Sequence, residues 1–207
     1  GKGKVINLTE SGFNDGRAKW IMGGKGMLWF SNRDGLKSVA QSGGAQSDVY
    51  ALFFTQESFD KFKLSKEDAA LLKEIEDNKA KADTSKKSAA KKDSVVIDWE
   101  GLNMRKAKLT IHSSQMSDAL VSKDGETLYY LTRFERGVNL WTTNLRTRET
   151  KMLVTLNAQG GNMVWDKDQK SIFLSANGGI SKIDPNSGKR DMVGINGEMT
   201  LDVAAER

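Results

Sequence analysis

The sequence predicts an all-β protein, a β-propeller fragment of about three four-stranded blades with a helical insert in one blade. One motif recurs: a large apolar residue, a turn of Gly, Asp and Lys, and a run of bulky apolar residues. Its copies are Trp20–Ser31, Val121–Thr132 and Trp165–Ala176. The last two copies begin 44 residues apart, which is the spacing of one blade. A closed propeller needs about 4–8 blades, so the chain corresponds to part of one.

The first copy predicts three strands before the pattern is interrupted. These are Trp20–Met22, Met27–Ser31 and Val49–Thr55, all rich in β-branched or aromatic residues. Gly23–Gly26 between the first two superficially resembles a phosphate-binding loop. It lacks the spacing of that motif and no helix follows it, so a turn between strands is the favoured interpretation.

An insert follows the first copy. Phe59–Lys79 has helical spacing of apolar residues, and Ser65 with Asp68 fits a variant of the capping box. Lys79–Lys92 is poor in bulky apolar residues, which favours a flexible segment. Val95–Trp99 (VVIDW) then predicts a return to strand.

The second and third copies predict complete blades. The second has an Asp-Gly hairpin turn within Lys123–Glu126, because both turn residues tolerate positive φ. The third has Asp184–Gly188 (DPNSG), where a type I turn is favoured over a Ca²⁺ loop because the EF-hand spacing is missing. The predicted strands are Ala119–Lys123, Thr127–Thr132, Asn139–Asn144 and Glu149–Thr155, then Met163–Asp166, Ser171–Ser175, Gly179–Ile183 and Lys189–Ile195.

Short segments ending in Leu-Thr or Val-Thr precede each copy of the motif. They are Val5–Thr9, Lys106–Thr110 and Met152–Thr155, and each predicts the outer, fourth strand of a blade. The blades are expected in residues 1–196, with the insert at about 56–93. Residues 197–207 leave the pattern, and Ala204–Arg207 predicts the start of a helix. We expect this exit segment to lead toward a further domain of a longer protein.

Composition excludes several kinds of site. The 207 residues include no Cys and one His, which excludes disulfides, thiolate sites and multi-His metal sites. The net charge of +5 comes partly from the insert, where residues 73–93 hold seven Lys against five acidic residues. No aromatic-interleaved basic stripe predicts nucleic-acid binding, and no apolar stretch approaches transmembrane length.

No catalytic, cofactor-binding or metal-binding residue is predicted. His112 lies near Ser113, Ser114 and Asp118, which suggests a nucleophile and base. Adjacent positions on a strand or loop point away from each other, so the geometry for proton transfer is poor. We therefore expect His112 in a loop entering a blade, and no cofactor.

The tryptophans and the helical insert each allow two interpretations. Trp20, Trp29, Trp141 and Trp165 are expected to pack neighbouring blades together, although ligand platforms are the other interpretation, and Trp99 could be exposed. The insert, with apolar Phe59, Phe62 and Leu64, either docks a partner or folds back on its own blade.

Four stretches resemble the β-propeller region of tricorn-like serine proteases, the S41 peptidase family, of the Bacteroidetes type. They are Leu8–Gly35, Asp48–Glu74, Val95–Thr110 and Glu198–Arg207. The resemblance covers nearly the whole chain. The blade pattern alone is shared with WD40-like, TolB-type and prolyl-oligopeptidase-type propellers, whereas the helical arm and the exit segment are more specific to this family.

The resemblance implies a non-catalytic module within a larger peptidase. The family's nucleophile lies beyond the exit segment, so this chain itself is not expected to be an enzyme. Implied partners are a peptide or protein and the parent's PDZ and peptidase domains, in the periplasm or cell envelope, with no nucleic acid and no membrane. The implied role is to gate or guide peptides, or to scaffold the protease.

A free-standing TolB-like propeller that binds a protein partner in the periplasm is the alternative. Three blades leave a sheet uncovered at each open end, so we also expect the isolated chain to associate with further copies of itself.

Overall fold

The computed structural model describes residues 5–38, 44–82 and 95–194. Within these ranges the strands form three four-stranded antiparallel sheets, each a meander whose neighbours in sequence are neighbours in the sheet. The first sheet contains β1 (Asp15–Ile21), β2 (Gly26–Ser31), β3 (Asp48–Phe53) and β4 (Lys106–Lys108). The second contains β5 (Gln115–Val121), β6 (Thr127–Arg133), β7 (Val138–Asn144) and β8 (Thr150–Ala158). The third contains β9 (Asn162–Trp165), β10 (Ile172–Ala176), β11 (Gly179–Ile183) and β12 (Arg190–Val193).

These sheets confirm the predicted fold class, and we call them blades 1, 2 and 3. The hairpins arise where the turn residues predict them. At the start of the blade 2 hairpin, the Ser122 hydroxyl accepts hydrogen bonds from the amides of Glu126 and Thr127. In blade 3 the Asp184 carboxylate accepts hydrogen bonds from the amides of Asn186 and Ser187, which confirms the turn predicted there.

Blades 1 and 2 share one apolar core. Because side chains alternate along a strand, Leu28, Val49 and Phe53 lie on one face of blade 1. They pack against the face of blade 2 that carries Leu128 and Tyr130. Burial of these side chains stabilises the contact, at about 1.5–3 kcal/mol for each large one.

Blades 2 and 3 share a second core on the opposite face of blade 2. Leu131 and Leu140 of blade 2 pack against Ile172 and Leu174 of blade 3, and all four are fully buried. Trp165 lies at the edge of this core, with its ring 5.4 Å from that of Tyr129 and nearly perpendicular to it. The predicted role of Trp165 in packing neighbouring blades is confirmed.

The far face of blade 1 is covered by the chain's own loops. Trp29 stacks on Tyr50 there, and Leu8, Ile97 and Leu102 pack against this cluster. Trp29 therefore packs on the face away from blade 2, and the prediction that it joins two blades is wrong within the described residues.

Trp20 is also not packed between blades. It lies on the same far face, 67% exposed, with its ring edge-on to that of Phe54. Its place in the repeat predicted burial, but the strand register puts it opposite Met27 on the face that carries no neighbouring blade. Trp141 is partly buried against the core shared by blades 1 and 2.

Two predicted strands are wrong. Val5–Thr9 is irregular, since Val5 is 94% exposed and the Asn7 side chain accepts hydrogen bonds from the amides of Thr9 and Glu10, which forms a turn. Val95–Trp99 forms no strand, and one backbone hydrogen bond, from the amide of Asp98 to the carbonyl of Phe54, joins it to the end of β3. Both segments carry strand-forming residues, but neither pairs with a strand of blade 1.

The insert forms two helices, and a 3₁₀ turn follows it before β4. These are α1 (Gln56–Lys63), α2 (Lys66–Ala82) and the turn Leu102–Arg105. The Thr55 hydroxyl caps α1 by accepting from the amide of Ser58, and the Ser65 hydroxyl accepts from the amide of Asp68, as the capping pattern predicts. The predicted flexible segment Lys79–Lys92 overlaps the end of α2 and otherwise lies outside the described residues. The exit segment 197–207, the predicted helix at Ala204–Arg207 and the end of the strand predicted to reach Ile195 also lie outside them.

The turn before β12 offers a test of local strain. Gly188 has φ +73°, and a Cβ at this position would lie 2.5 Å from the Leu153 carbonyl oxygen of blade 2. We expect Gly188→Ala to lower the free energy of unfolding by about 1–3 kcal/mol, measured by urea denaturation. Gly178→Ala is the matched control, because Gly178 has φ +76° but nothing within 4 Å. Equal losses for the two variants would show that the contact with Leu153 contributes nothing.

Candidate functional site

A polar network joins the inner strands of all three blades. Asp118 on β5 is 3% exposed. Its Oδ1 accepts a hydrogen bond from Lys19 Nζ of blade 1 at 2.5 Å, and its Oδ2 accepts from the amide of Met163 in blade 3 at 2.6 Å. Lys19 Nζ also reaches the Met163 carbonyl oxygen at 3.2 Å. One carboxylate therefore holds the three inner strands together.

Irregularities in two inner strands accompany this network. The register of β1 shifts between Gly16 and Lys19, and that of β5 shifts between Met116 and Asp118. A bulge inserts a residue and changes the direction of the side chains that follow it. The guanidinium of Arg17, within the first bulge, donates to the Ser117 carbonyl within the second. The bulges thus add a direct contact between blades 1 and 2.

The residues around His112 do not converge on a catalytic arrangement. The Ser113 hydroxyl donates to Asp48 at 2.6 Å, whereas the Thr132 hydroxyl donates to Ser114 at 2.5 Å. Asp118 is bound in the inner-strand network, and His112 is exposed in the loop before β5. The expected loop position of His112 is confirmed.

A second buried carboxylate organises the connection from blade 1 to blade 2. Asp48 is completely buried, where its carboxylate accepts from Thr110 at 2.7 Å and pairs with Lys108 at 3.1 Å. Beside it, the Tyr50 hydroxyl donates to Asp34 at 2.5 Å. That hydrogen bond, assisted by Lys108, lowers the pKa of Asp34, while burial raises the pKa of Tyr50. These groups pair with one another, and we assign them a structural role.

The helical arm folds back onto blades 1 and 2. The rings of Phe59 and Phe62 lie 5.6 Å and 4.6 Å from that of Phe53. Arg146, in the turn between β7 and β8, donates to the carbonyls of Lys61, Phe62 and Leu64. Of the two alternatives for the insert, the structure supports folding back for α1.

Arg146 is expected to hold the arm in place. It donates to carbonyls at the C-terminal end of α1, where a helix leaves its last carbonyls without intrahelical partners. Of these, the Lys61 carbonyl also accepts from the Leu64 amide. We expect Arg146→Ala to destabilise the docked arm by about 2 kcal/mol and to speed amide exchange in Gln56–Lys63, measured by hydrogen–deuterium exchange. Arg148→Ala is the control, since Arg148 lies in the same turn but donates to Leu109 and Thr110. Unchanged exchange in the Arg146 variant would contradict this role.

A groove opens between blades 2 and 3 on the same side of the molecule as the arm. It consists of two cavities of about 560 and 240 Å³. Both are lined by Thr127 and Tyr129 of blade 2 and by Pro185 and Asn186 of blade 3. The larger volume falls in the range of ligand-binding pockets, roughly 300–1,000 Å³. Sequence reasoning missed this groove because its walls come from strands and turns of two blades that are distant in sequence.

The described residues contain neither a metal-binding cluster nor a membrane-spanning helix. No group of three or more His, Cys, Asp or Glu side chains there is placed to hold a metal ion. None of the described helices is long and apolar enough to cross a membrane. Met22–Lys25 forms a turn between β1 and β2, with Gly23 and Gly24 at positive φ, which confirms the turn predicted at the glycine-rich segment.

Comparison with solved structures identifies the architecture. The chain is similar to TolB from Acinetobacter baumannii, with 11% identity and a TM-score of 0.52, over 92% of this chain and 34% of TolB. It is also similar to the tricorn protease, with 12% identity and a TM-score of 0.58, over 92% of this chain and 18% of that protein. Its three sheets are blades of a β-propeller.

This likeness shows the fold alone, because the identities are low. The chain spans about a third of TolB and about a fifth of the tricorn protease, so it corresponds to a part of each. No protein-family model and no curated protein matches the sequence.

Proposed function

We propose that this chain is a non-catalytic β-propeller module of a tricorn-like S41 serine peptidase, where it gates or guides peptides or scaffolds the protease. The observation that carries the proposal is the series of three meander blades, similar in fold to the tricorn protease over 92% of the chain. The helical arm in blade 1 and the resemblance of the exit segment support the same assignment. The partners would be peptides and the parent's PDZ and peptidase domains, in the periplasm or cell envelope.

The polar clusters of the described residues support a module that binds rather than reacts. Asp118 and Asp48 are each held by partners from neighbouring strands and connections. Contacts of this kind between strands favour a rigid scaffold, and binding residues commonly lie on the loops and turns of such a scaffold.

A free-standing propeller that binds a protein partner is the second candidate, because the fold is also similar to TolB. The two differ in what the full-length gene product would contain. A product with PDZ and S41 domains after this segment supports the module, whereas a product that ends with the propeller supports the alternative.

Two measurements on the purified chain test the proposed function. We expect binding of unstructured peptides, detected by changes in the ¹H–¹⁵N NMR spectrum, and no cleavage of the same peptides by mass spectrometry. Turnover that co-purifies with the chain through successive columns would overturn the non-catalytic assignment. Absence of binding to any peptide would overturn a role in handling peptides.

A further inference from the structure

The groove between blades 2 and 3 has a counterpart between blades 1 and 2. The ladders of blades 1 and 2 place Gly26 opposite Phe53 and Thr127 opposite Asn144, at the same ends of equivalent strands. In blade 1 this end of the sheet is apolar and α1 covers it, with Phe59 and Phe62 packed on Phe53. A segment of polypeptide therefore already occupies one of two equivalent spaces.

The second space is open and has a polar wall. Where blade 1 has Phe53 and Ala51, blade 2 has Asn144 and Thr142, and both line the groove. Asn186 faces them from the β11–β12 turn of blade 3. Amide and hydroxyl groups at these positions are able to hydrogen-bond with a peptide backbone. Arg146 offers a parallel, since it donates to the carbonyls of α1.

The deeper part of the groove is aromatic. Tyr129 is 5% exposed and lines both cavities, and Trp165 lines the larger one. Burial raises the pKa of the Tyr129 hydroxyl, with smaller contributions in the same direction from Asp124 and Asp184. The aromatic surface offers apolar contact beneath polar walls, a combination common in sites that bind small ligands and peptides.

Charge at the rim indicates the chemistry of the occupant. Lys123, Lys151 and Lys170 line the groove, and none of them forms an ion pair with another described residue. The carboxylates at the rim are Asp124 and Glu149. Asp124 accepts hydrogen bonds within its own turn, from the Ser122 hydroxyl and the Glu126 amide. Glu149 forms no ion pair with another described residue either, so three unpaired ammonium groups at the rim face one unpaired carboxylate.

We propose that this groove binds an acidic peptide segment, with its backbone along the polar wall and its carboxylates paired with Lys123, Lys151 and Lys170. The inference rests on the proposed function and deepens it by naming the class of peptide and the place where it binds. The peptide lies between two blades, in the space equivalent to that filled by α1.

The test uses three capped hexapeptides that alternate Ala with Glu, Gln or Lys, titrated into the ¹⁵N-labelled chain. We expect the Glu peptide to bind more tightly than the other two and to shift the amide signals of Thr127, Asn144 and Asn186. The Lys123→Gln, Lys151→Gln, Lys170→Gln triple variant should weaken that binding on the order of tenfold. Added salt should weaken it as well, because the pairs are exposed.

The control removes the same charge elsewhere. Lys66, Lys73 and Lys79 are exposed on α2, so their combined replacement by Gln changes net charge equally without altering the groove. This variant should bind the Glu peptide like the unaltered chain. Because all six lysines are exposed, both variants should keep the unaltered chain's melting temperature, which a thermal melt checks.

The outcomes separate the two proposals. Peptide binding that shifts other amides, or that is equal for all three peptides, overturns the acidic groove while the peptide-handling role stands. Equal weakening by both triple variants shows a general charge effect and also overturns the groove. If no peptide binds at all, the groove and the peptide-handling role fail together.

Discussion

Replacing Asp118 with alanine is expected to lower the free energy of unfolding by about 3 kcal/mol. The change leaves Lys19 without its partner and the Met163 amide without its acceptor, in a network that joins three blades. The side chain of Lys19 is 30% exposed, so water satisfies part of its lost pairing and the loss should lie at the low end for a broken buried pair. Urea denaturation followed by tryptophan fluorescence measures the effect.

Two further variants separate the contribution of the ion pair from that of the hydrogen bonds to the backbone. Asp118→Asn keeps an oxygen that accepts from Met163 but removes the charge that pairs with Lys19, so it should lose less than Asp118→Ala. Lys19→Met should lose more than Asp118→Asn, since it leaves a carboxylate that is only 5% exposed without a counter-charge, although the backbone donors at Met163 and Ala119 remain. A loss below about 0.5 kcal/mol for Asp118→Ala, the usual range for surface changes, would show that the network does not stabilise the fold.

Replacing Phe53 with alanine is expected to cost about 3–5 kcal/mol. Phe53 is 1% exposed and contacts blade 2 and α1 together, so its removal leaves a cavity bordered by Phe59 and Phe62. Besides lowering stability, the variant should loosen the arm. Urea denaturation gives the first effect, and hydrogen–deuterium exchange in Gln56–Lys63 gives the second.

Phe134→Ala is the control for Phe53→Ala. Phe134 is 38% exposed and contacts Tyr130 and Trp141 at the surface, so its replacement should cost far less and leave the arm unchanged. Loss of stability in the Phe53 variant without faster exchange in α1 would mean that the arm is held by Arg146 rather than by aromatic packing.

Local chemistry explains why most strands were predictable. A hairpin needs a turn and two flanking runs of strand-forming residues, and all of these lie within a short stretch of sequence. The turns at Lys123–Glu126 and Asp184–Gly188 formed where the residues predicted them. Alternation along β6 likewise puts Leu128 and Tyr129 on opposite faces, each within a different core.

Predictions failed where the outcome depended on a distant neighbour. Val95–Trp99 has strand-forming residues, but β4 occupies the edge of β3, so only one backbone hydrogen bond to Phe54 forms. Trp20 has the apolar character of a core residue. Its pairing with Met27, however, puts its side chain on the face of blade 1 against which no further blade packs among the described residues. The β-propensity of the residues predicts whether a segment forms a strand, whereas the burial of a side chain depends on which sheet packs against that face of the strand.

The candidate sites were the least predictable part. Asp118 and Lys19 are 99 positions apart, and nothing local relates them. The inference that His112, Ser113 and Asp118 do not form a catalytic group needed only the geometry of adjacent positions. Finding the partners that these residues do have required the three inner strands to be placed side by side.

The sequence by itself determined the repeating hairpins, the helical insert and the count of blades, because turn chemistry and alternation act over a few residues. The tertiary structure alone decided which face of each blade is covered, where α1 docks and where a groove remains between blades 2 and 3. Those outcomes follow from contacts between segments far apart in the chain, whose packing no local pattern encodes.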